Sequence, residues 1–251
     1  MPTTHPHAEV LHADALTALP TLTPESVDCV LTDPPYNSGG RTPTERARQS
    51  TRGKYVSGSA RHTLADFAGD NRDQRSYSYW LALVLAECLR ACVPGGSCLV
   101  FSDWRQLPAT SDALQAAGWT WRGIIVWRKP LNRPLRNGFR RECEYVLWGS
   151  SGPLADRDQP VYLPGLLTGS QPRAGRRHVT EKPVNVMAEL VEICPPGGTI
   201  LDPFTGSGTT GVAAVHAGRS FLGIEVTDHY AEIANARVLH AMQQAPAGNT
   251  A

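Results

Sequence analysis

The run Val27-Asp28-Cys29-Val30-Leu31-Thr32 is stopped by Asp33-Pro34-Pro35, and no helix can continue through such a stop. A short, mostly apolar run closed in this way reads as a buried strand. Ser97–Ser102 predicts a second strand, entered through Pro94-Gly95-Gly96. Between them, Tyr79–Cys92 carries Leu and Val at helical spacing up to that Pro-Gly-Gly stop and predicts a helix. Gly123–Trp127 and Tyr145–Trp148 are rich in β-branched and aromatic residues and read as further strands. Val184–Cys194 reads as a helix entered through Lys182-Pro183. Gly198–Asp202 and Ser220–Glu225 are short strands around a helix at Thr209–Ala217, and Asp228–Gln243 is a last helix with Asp228 as its N-cap. Strand and helix alternate, so the economical architecture is α/β, a three-layer fold around a mostly parallel sheet.

Two segments break that rhythm. Asn37 to Ser76 is rich in Gly, Ser, Thr and Arg with little periodicity, and Ser150 to Arg177 is Pro/Gly-rich with scattered apolar residues. Insertions of this length in a compact domain are usually functional loops or disordered. No linker divides the chain, so residues 1–251 are expected to form one domain carrying both insertions.

Composition narrows the class. The longest clean apolar run, Trp80–Ala86, ends at Glu87, far short of the roughly 20 residues a membrane span needs. Met1–Val10 has no apolar core of the kind a secretory signal carries. Six cysteines show no CxxC spacing, which disfavours a disulfide scaffold or zinc finger and fits a reducing, cytoplasmic setting. The histidines have no ligand spacing, so no metal is expected. Net charge is only +1, but its distribution is uneven. Three stretches (41–61, 122–141 and 173–182) hold seventeen basic and two acidic residues, against seven basic and 21 acidic in the remaining 200. A basic stretch is most often a solvated face; three of them on an otherwise acidic chain lean toward a polyanion partner.

Two loops carry chemistry. In Thr32-Asp33-Pro34-Pro35-Tyr36-Asn37, successive prolines fix the backbone and remove two N–H donors. Asp-Pro alone is an ordinary strand-ending turn. The full tetrapeptide sets a carboxylate and a fixed carbonyl beside an aromatic ring, which suits a planar group bearing an NH₂. In Asp202-Pro203-Phe204-Thr205-Gly206-Ser207-Gly208-Thr209-Thr210, a glycine pair sits between a strand and a helix N-terminus, where a ligand can approach the backbone. It is neither a GxGxxG fingerprint nor a P-loop. Glu225 ends the next strand, where folds of this class bind ribose hydroxyls.

Taken together the two loops resemble the amino-methylating DNA methyltransferases that use S-adenosylmethionine, the N6-adenine/N4-cytosine family. The order is that of its permuted β group, with the DPPY element Asp33-Pro34-Pro35-Tyr36 ahead of the glycine loop. Leu11–Leu16 is similar to the short acidic motif that reads the cofactor adenine, implying roles for Asp14 and Ala15. His178-Val179-Thr180-Glu181-Lys182-Pro183 is similar to the family's H-P-T-Q-K-P element, departing at Val179 and Glu181; by resemblance Thr180 and Lys182 lie near the methionine carboxylate. Arg141–Trp148 resembles the late strand motif.

The resemblance implies a Rossmann-like methyltransferase fold with one antiparallel strand. It makes S-adenosyl-L-methionine the cofactor, bound by Asp14, Ala15, Asp33, Thr180, Lys182, Asp202, Phe204, Gly206, Ser207, Gly208, Thr209 and Glu225. Asp33, Pro34, Pro35 and Tyr36 become the catalytic set. Bland alternatives stand beside these roles: Asp14 as a helix cap, Lys182 as an exposed cation, and the six tryptophans as packing. Double-stranded DNA is the implied partner, with contacts expected from Arg41, Arg46, Arg48, Arg52, Lys54, Arg133, Arg136, Arg140, Arg173, Arg176 and Arg177. A homodimer is compatible with the family. The target-recognition segment, about 150–177, is short and implies a short or degenerate site. Asp at the head of the tetrapeptide favours adenine N6 over cytosine N4. A non-catalytic nucleic-acid-binding domain on the same fold is the reading from another class, and the intact loops argue against it.

Overall fold

The computed structural model describes residues 6–36, 72–130, 136–158, 160–170 and 182–244. Its strands are β1 (Ala8–His12), β2 (Val27–Thr32), β3 (Cys92–Ser102), β4 (Thr120–Arg128), β5 (Cys143–Ser150), β6 (Leu166–Thr168), β7 (Thr199–Asp202) and β8 (Ser220–Glu225). They form one sheet in the order β1-β8-β7-β2-β3-β5-β4-β6. Every strand runs parallel to its neighbours except β5, which is antiparallel to both β3 and β4.

Helices cover both faces. On one side lie α1 (Ala15–Ala18), α2 (Gln74–Ala91) and α3 (Leu107–Ala116), packed on Val30, Cys98, Val100, Leu147, Leu201 and Ile224. On the other lie α4 (Val184–Val191), α5 (Thr209–His216) and α6 (Asp228–Gln244), packed on Cys29, Leu31, Leu99, Phe101, Val146, Ile200 and Phe221. Alternate residues of one strand therefore serve opposite cores, as the two-residue period of a strand requires. Central β2 is buried on both faces, which is why it reads as a nearly continuous apolar run.

The expected elements form, except that Asp228 is the first residue of α6 rather than its N-cap, the Thr227 carbonyl accepting from Tyr230 N and Ala231 N, and with three further corrections. Helix α2 begins at Gln74 rather than Tyr79, because the Asp73 carboxylate accepts from Arg75 N (3.0 Å) and Ser76 N (2.9 Å) and caps an extra turn. Pro94-Gly95-Gly96 is no stop between helix and strand: it lies inside β3. The register passes from Val27↔Cys92 to Cys29↔Ser97, so these residues bulge. Gly95 has φ +79°, and a Cβ on Gly96 would stand 2.8 Å from the Asp28 carbonyl oxygen, so both positions need glycine. Lastly, the stretch Ser150 to Arg177 is not wholly irregular. Its Leu166–Thr168 adds β6 to the edge of β4, held by Trp127 Nε1 donating to Gly169 O at 2.9 Å. The expected insertion at Asn37 to Ser76 falls mainly outside the described residues, as do Arg41, Arg46, Arg48, Arg52, Lys54, Arg133, Arg173, Arg176, Arg177 and Thr180.

Candidate active site

Because β2 and β7 are parallel neighbours (Val30↔Leu201), the loops that leave their carboxyl ends emerge side by side. They are also tied directly. Thr32 Oγ1 donates to Asp202 Oδ1 at 2.8 Å, Phe204 N donates to the same oxygen at 3.1 Å, and Thr210 Oγ1 donates to Asp202 Oδ2 at 2.6 Å. Asp202 thus locks the diproline loop, the glycine loop and the start of α5 into one rigid corner. Its carboxyl pKa is pushed up to about 6, chiefly by burial, against the opposing pull of the Thr210, Thr32 and Phe204 hydrogen bonds.

A pH prediction follows from that corner. A folded pKa raised above the unfolded 3.8 means that the group's stabilising contribution is complete below about pH 3.8 and is lost as pH rises through about 6. At roughly 1.4 kcal/mol per tenfold in proton affinity, the whole effect is about 3 kcal/mol. Asp202→Asn removes this titration. Urea unfolding should therefore show the variant gaining on the wild type between pH 4 and pH 7; a gap that does not move with pH would refute it.

The glycine loop is held from two sides. Glu225, at the end of β8, accepts from Gly206 N (2.9 Å) and Thr227 N (2.8 Å). Arg237 of α6 donates to Ser207 O (2.6 Å), to Ser207 Oγ (3.0 Å) and, at 3.4 Å, to Thr209 Oγ1. Gly208 has φ +82°, and a Cβ there would lie 2.9 Å from Ala234 Cα, so only glycine lets the loop pass α6. Phe204 packs on Trp80, with ring centroids 5.2 Å apart, and Arg72 lies 4.2 Å over that indole. Asp14 takes the role of cap: its exposed carboxylate accepts from Leu16 N at 2.9 Å, and the buried Ala15 opens α1. Ala13 N donates to Glu225 O at 3.0 Å, which sets this corner beside the glycine loop.

At the diproline loop, Pro34 is buried, and Pro35 and Tyr36 are half-buried. Lys182 is not an exposed cation. Its side chain is 6% exposed, and its ammonium pairs with Asp33 Oδ2 and, at 3.7 Å, with Glu144 Oε2. It also lies 5.2 Å from the Tyr36 ring centroid and 5.1 Å from that of Phe101. Glu144 pairs in turn with Lys129, and the Tyr36 hydroxyl donates to it at 3.5 Å. Burial works against each of these charges. For Lys182, Asp33 and Glu144 together outweigh it and hold the pKa above the ordinary lysine value. For Glu144, Lys182 and Lys129 outweigh it, and the pKa falls. For Asp33, burial wins over Lys182 and the pKa rises. Asp33 Oδ1 is buried and makes no hydrogen bond among the described residues.

Glu144, Lys129, Trp80 and Arg237 are the site residues that sequence reading passed over. For Glu144 the signal was present, within the strand motif Arg141–Trp148. Arg136 and Arg140 are exposed ahead of β5. A separate cavity of about 300 Å³ between β4, β5, β6 and α4 is lined by Ile124, Ile125, Trp148, Leu163 and Leu190, and by no residue of the diproline loop, the glycine loop or the Lys182 cluster. Among the described residues no helix is long and apolar enough to cross a membrane, and no three His, Cys, Asp or Glu side chains gather as a metal site.

With this geometry in place, comparison with known proteins gives a family. A DNA methylase family model, of the N6/N4 type, matches residues 27–236. YubD of Escherichia coli (strain K12), named as a methylase, is 30% identical over 244 residues, covering 95% of each chain. TTHA0409 of Thermus thermophilus, a DNA modification methylase by name, was solved with S-adenosyl-L-methionine. It superposes with TM-score 0.65 at 23% identity, over 96% of this chain and 97% of that one. The cytosine-N4-specific PvuII DNA methyltransferase superposes with TM-score 0.66 at 17% identity, over 98% and 95%. The model match spans most of the sequence and both loops, and the chain belongs to the N6/N4 DNA methylase family.

Proposed function

We propose that the protein transfers a methyl group from S-adenosylmethionine to the exocyclic amine of a nucleotide extruded from duplex DNA, with adenine N6 as the target. The observation that carries this reading is the Asp33 carboxylate: one oxygen anchored by Lys182, the other buried without a partner among the described residues, beside the glycine loop. A buried acceptor left unsatisfied costs about 1–3 kcal/mol, and a ligand N–H removes that cost.

The residues present fit the cofactor. Glu225 retains acceptor capacity beyond its two backbone bonds, as a carboxylate can accept about four, and suits ribose hydroxyls. The backbone at Gly206 and Ser207, Phe204 and the Asp14 corner frame the same loop. When bound, S-adenosylmethionine supplies a methyl group on a sulfonium, open to in-line displacement.

The chain's own residues prepare the acceptor. An exocyclic amine is a poor nucleophile because its lone pair is delocalised into the ring. Asp33 Oδ1 accepting one amino hydrogen and the Pro34 carbonyl accepting the other favour a pyramidal nitrogen with its lone pair available. Burial raises the proton affinity of Asp33, which makes it a stronger acceptor than an exposed carboxylate. Tyr36 supplies a stacking face worth roughly 1–3 kcal/mol, offsetting the few kcal/mol of base extrusion. Holding the amine in line supplies much of the remaining acceleration. No enzyme nucleophile is needed. The basic stretches lie on the DNA, and the segment around 150–177 reads a short site. The setting is the cytoplasm, and residues 1–251 act as one domain.

Cytosine N4 is the second reading, the other target of the N6/N4 family and the one in the name of the PvuII enzyme, which shares this fold. The test is incubation with methyl-labelled S-adenosylmethionine and unmethylated chromosomal DNA, followed by digestion to nucleosides. Label in N6-methyldeoxyadenosine is expected, and label in N4-methyldeoxycytidine selects the second reading. Cofactor binding without label in DNA overturns both and leaves the non-catalytic domain.

A further inference from the structure

Sequence reading assigned all six tryptophans to packing. The structure agrees for Trp119 and Trp127, which are buried, and Trp80 packs against Phe204. Trp104 and Trp121 depart from it, with 49% and 42% of their surfaces exposed; Trp121 begins β4, at the end of the sheet away from Asp33.

Trp104 sits in the turn between β3 and α3, and that turn is built to hold it outward. The Asp103 carboxylate accepts from Arg105 N (3.0 Å) and Gln106 N (2.9 Å), and Ser102 Oγ donates to Asp103 O at 3.1 Å. Gln106 and Ser102, on either side, are buried. Two guanidinium groups attend the ring: Arg105 at 5.1 Å and Arg141 at 5.5 Å from its centroid. Arg141 arrives from the segment ahead of β5. Because that strand is antiparallel, its beginning lies at the carboxyl ends of its neighbours.

The turn therefore stands at the same end of the sheet as Asp33, one strand across, since Thr32 pairs with Val100. Asp103 is close enough to Tyr36 to help raise the pKa of its phenol, whose main cause is burial. Arg105 and Arg141 beside Trp104 are exposed, and the segment leading into Arg141 carries exposed Arg136, Arg140 and Phe139, the last at 94% exposure. A lone exposed aromatic is ordinary. An aromatic pinned at the mouth of the site among guanidinium groups has the makeup of a nucleic-acid surface, where rings stack on bases and cations meet phosphates.

We propose that Trp104 is a DNA-contacting residue: its indole stacks on a nucleobase next to the extruded one, while Arg105 and Arg141 face the flanking phosphates. The assignment rests on the reading above, that duplex DNA is the substrate. Extrusion leaves a gap in the base stack, and a ring at the mouth restores stacking on one side of it.

Trp104→Phe keeps a π-face, whereas Trp104→Leu keeps apolar bulk without one. Both are expected to fold, since the side chain is half exposed, and to bind S-adenosylmethionine as the wild type does. Methyl transfer to unmethylated chromosomal DNA is measured against DNA concentration. Trp104→Leu is expected to raise the KM for DNA about fivefold or more, the lower end of what one stacked base contributes. Trp104→Phe is expected to stay within about twofold to threefold of wild type, as every base has a π-face to offer any ring. A Trp104→Leu KM equal to that of wild type, or equal losses in both variants, overturns the stacking role and leaves the enzyme assignment standing. Absence of transfer by the wild type overturns the function and this contact together.

Discussion

Asp33→Ala is expected to bind S-adenosylmethionine within about threefold of wild type and to lose methyl transfer by about 10³-fold, the scale seen when one preorganised polar group is removed from a reacting centre. Asp33 Oδ2 is anchored by Lys182, so Oδ1 points where the buried backbone puts it, and no other carboxylate follows β2 among the described residues of that loop. Removing it deletes the acceptor for one amino hydrogen and leaves the Pro34 carbonyl to act alone. The glycine loop, Glu225 and Asp202 remain linked as before, since none of their hydrogen bonds passes through Asp33. Lys182 keeps Glu144 as a counter-charge, so the fold tolerates the change. Calorimetric titration with the cofactor and single-turnover transfer with enzyme in excess separate the two properties. A single-turnover rate within tenfold of wild type would remove Asp33 from the chemistry.

Much of this was legible because β2 and β8 advertise themselves. Each is a short, mostly apolar run, β2 closed by Asp33-Pro34-Pro35, and each folds with the bounds that its sequence predicts. The meeting of the two loops follows from nothing more than parallel strands side by side. What escaped depends on distant partners. β1 is a half-exposed edge strand whose pattern is weak, and β6 is three residues that exist as a strand because the edge of β4 accepts them. Helix α3 mixes Thr, Ser and Ala on a short stripe, and its Pro108 marks a start only after the Asp103 turn is seen. Pro94-Gly95-Gly96 misled for the opposite reason: the local signal was strong, and a bulge in a long central strand satisfied it as well as a loop would.

The site divides along the same line. Asp33, Gly206, Gly208 and Glu225 sit where the chain itself places them, at strand ends and a helix start. Glu144 reaches the site because β5 runs against its neighbours, which brings the first turn of that strand to the carboxyl edge of the sheet. Strand direction is a property of the assembled sheet, and no local spacing encodes it. Trp104 is similar, since nothing in Asp103-Trp104-Arg105 says that the ring stays outside until the buried neighbours are placed.

Lys182→Met should destabilise the protein by about 3–5 kcal/mol at neutral pH, the cost of removing one partner from a buried charge pair. Methionine preserves most of the stem that lies against Tyr36 and Phe101, so the loss reports charge. Without the ammonium, Asp33 loses the cation it pairs with and Glu144 keeps Lys129, so burial and, for Asp33, the charge of Glu144 raise the proton affinity of both carboxylates. Folded pKa values raised in this way make the native state bind protons that the unfolded chain releases. Stability is then regained as pH falls and lost as pH rises through the folded values. Urea unfolding at pH 5 and pH 7 should accordingly show a smaller deficit at the lower pH. A deficit under about 1 kcal/mol, or one indifferent to pH, would mean that water reaches the cluster and screens it. The measurement needs no cofactor, so it isolates what the lysine does for the fold from any contact with the methionine carboxylate. If the deficit appears in the protein alone, Lys182 is first the counter-charge that keeps Asp33 ionised in a buried place.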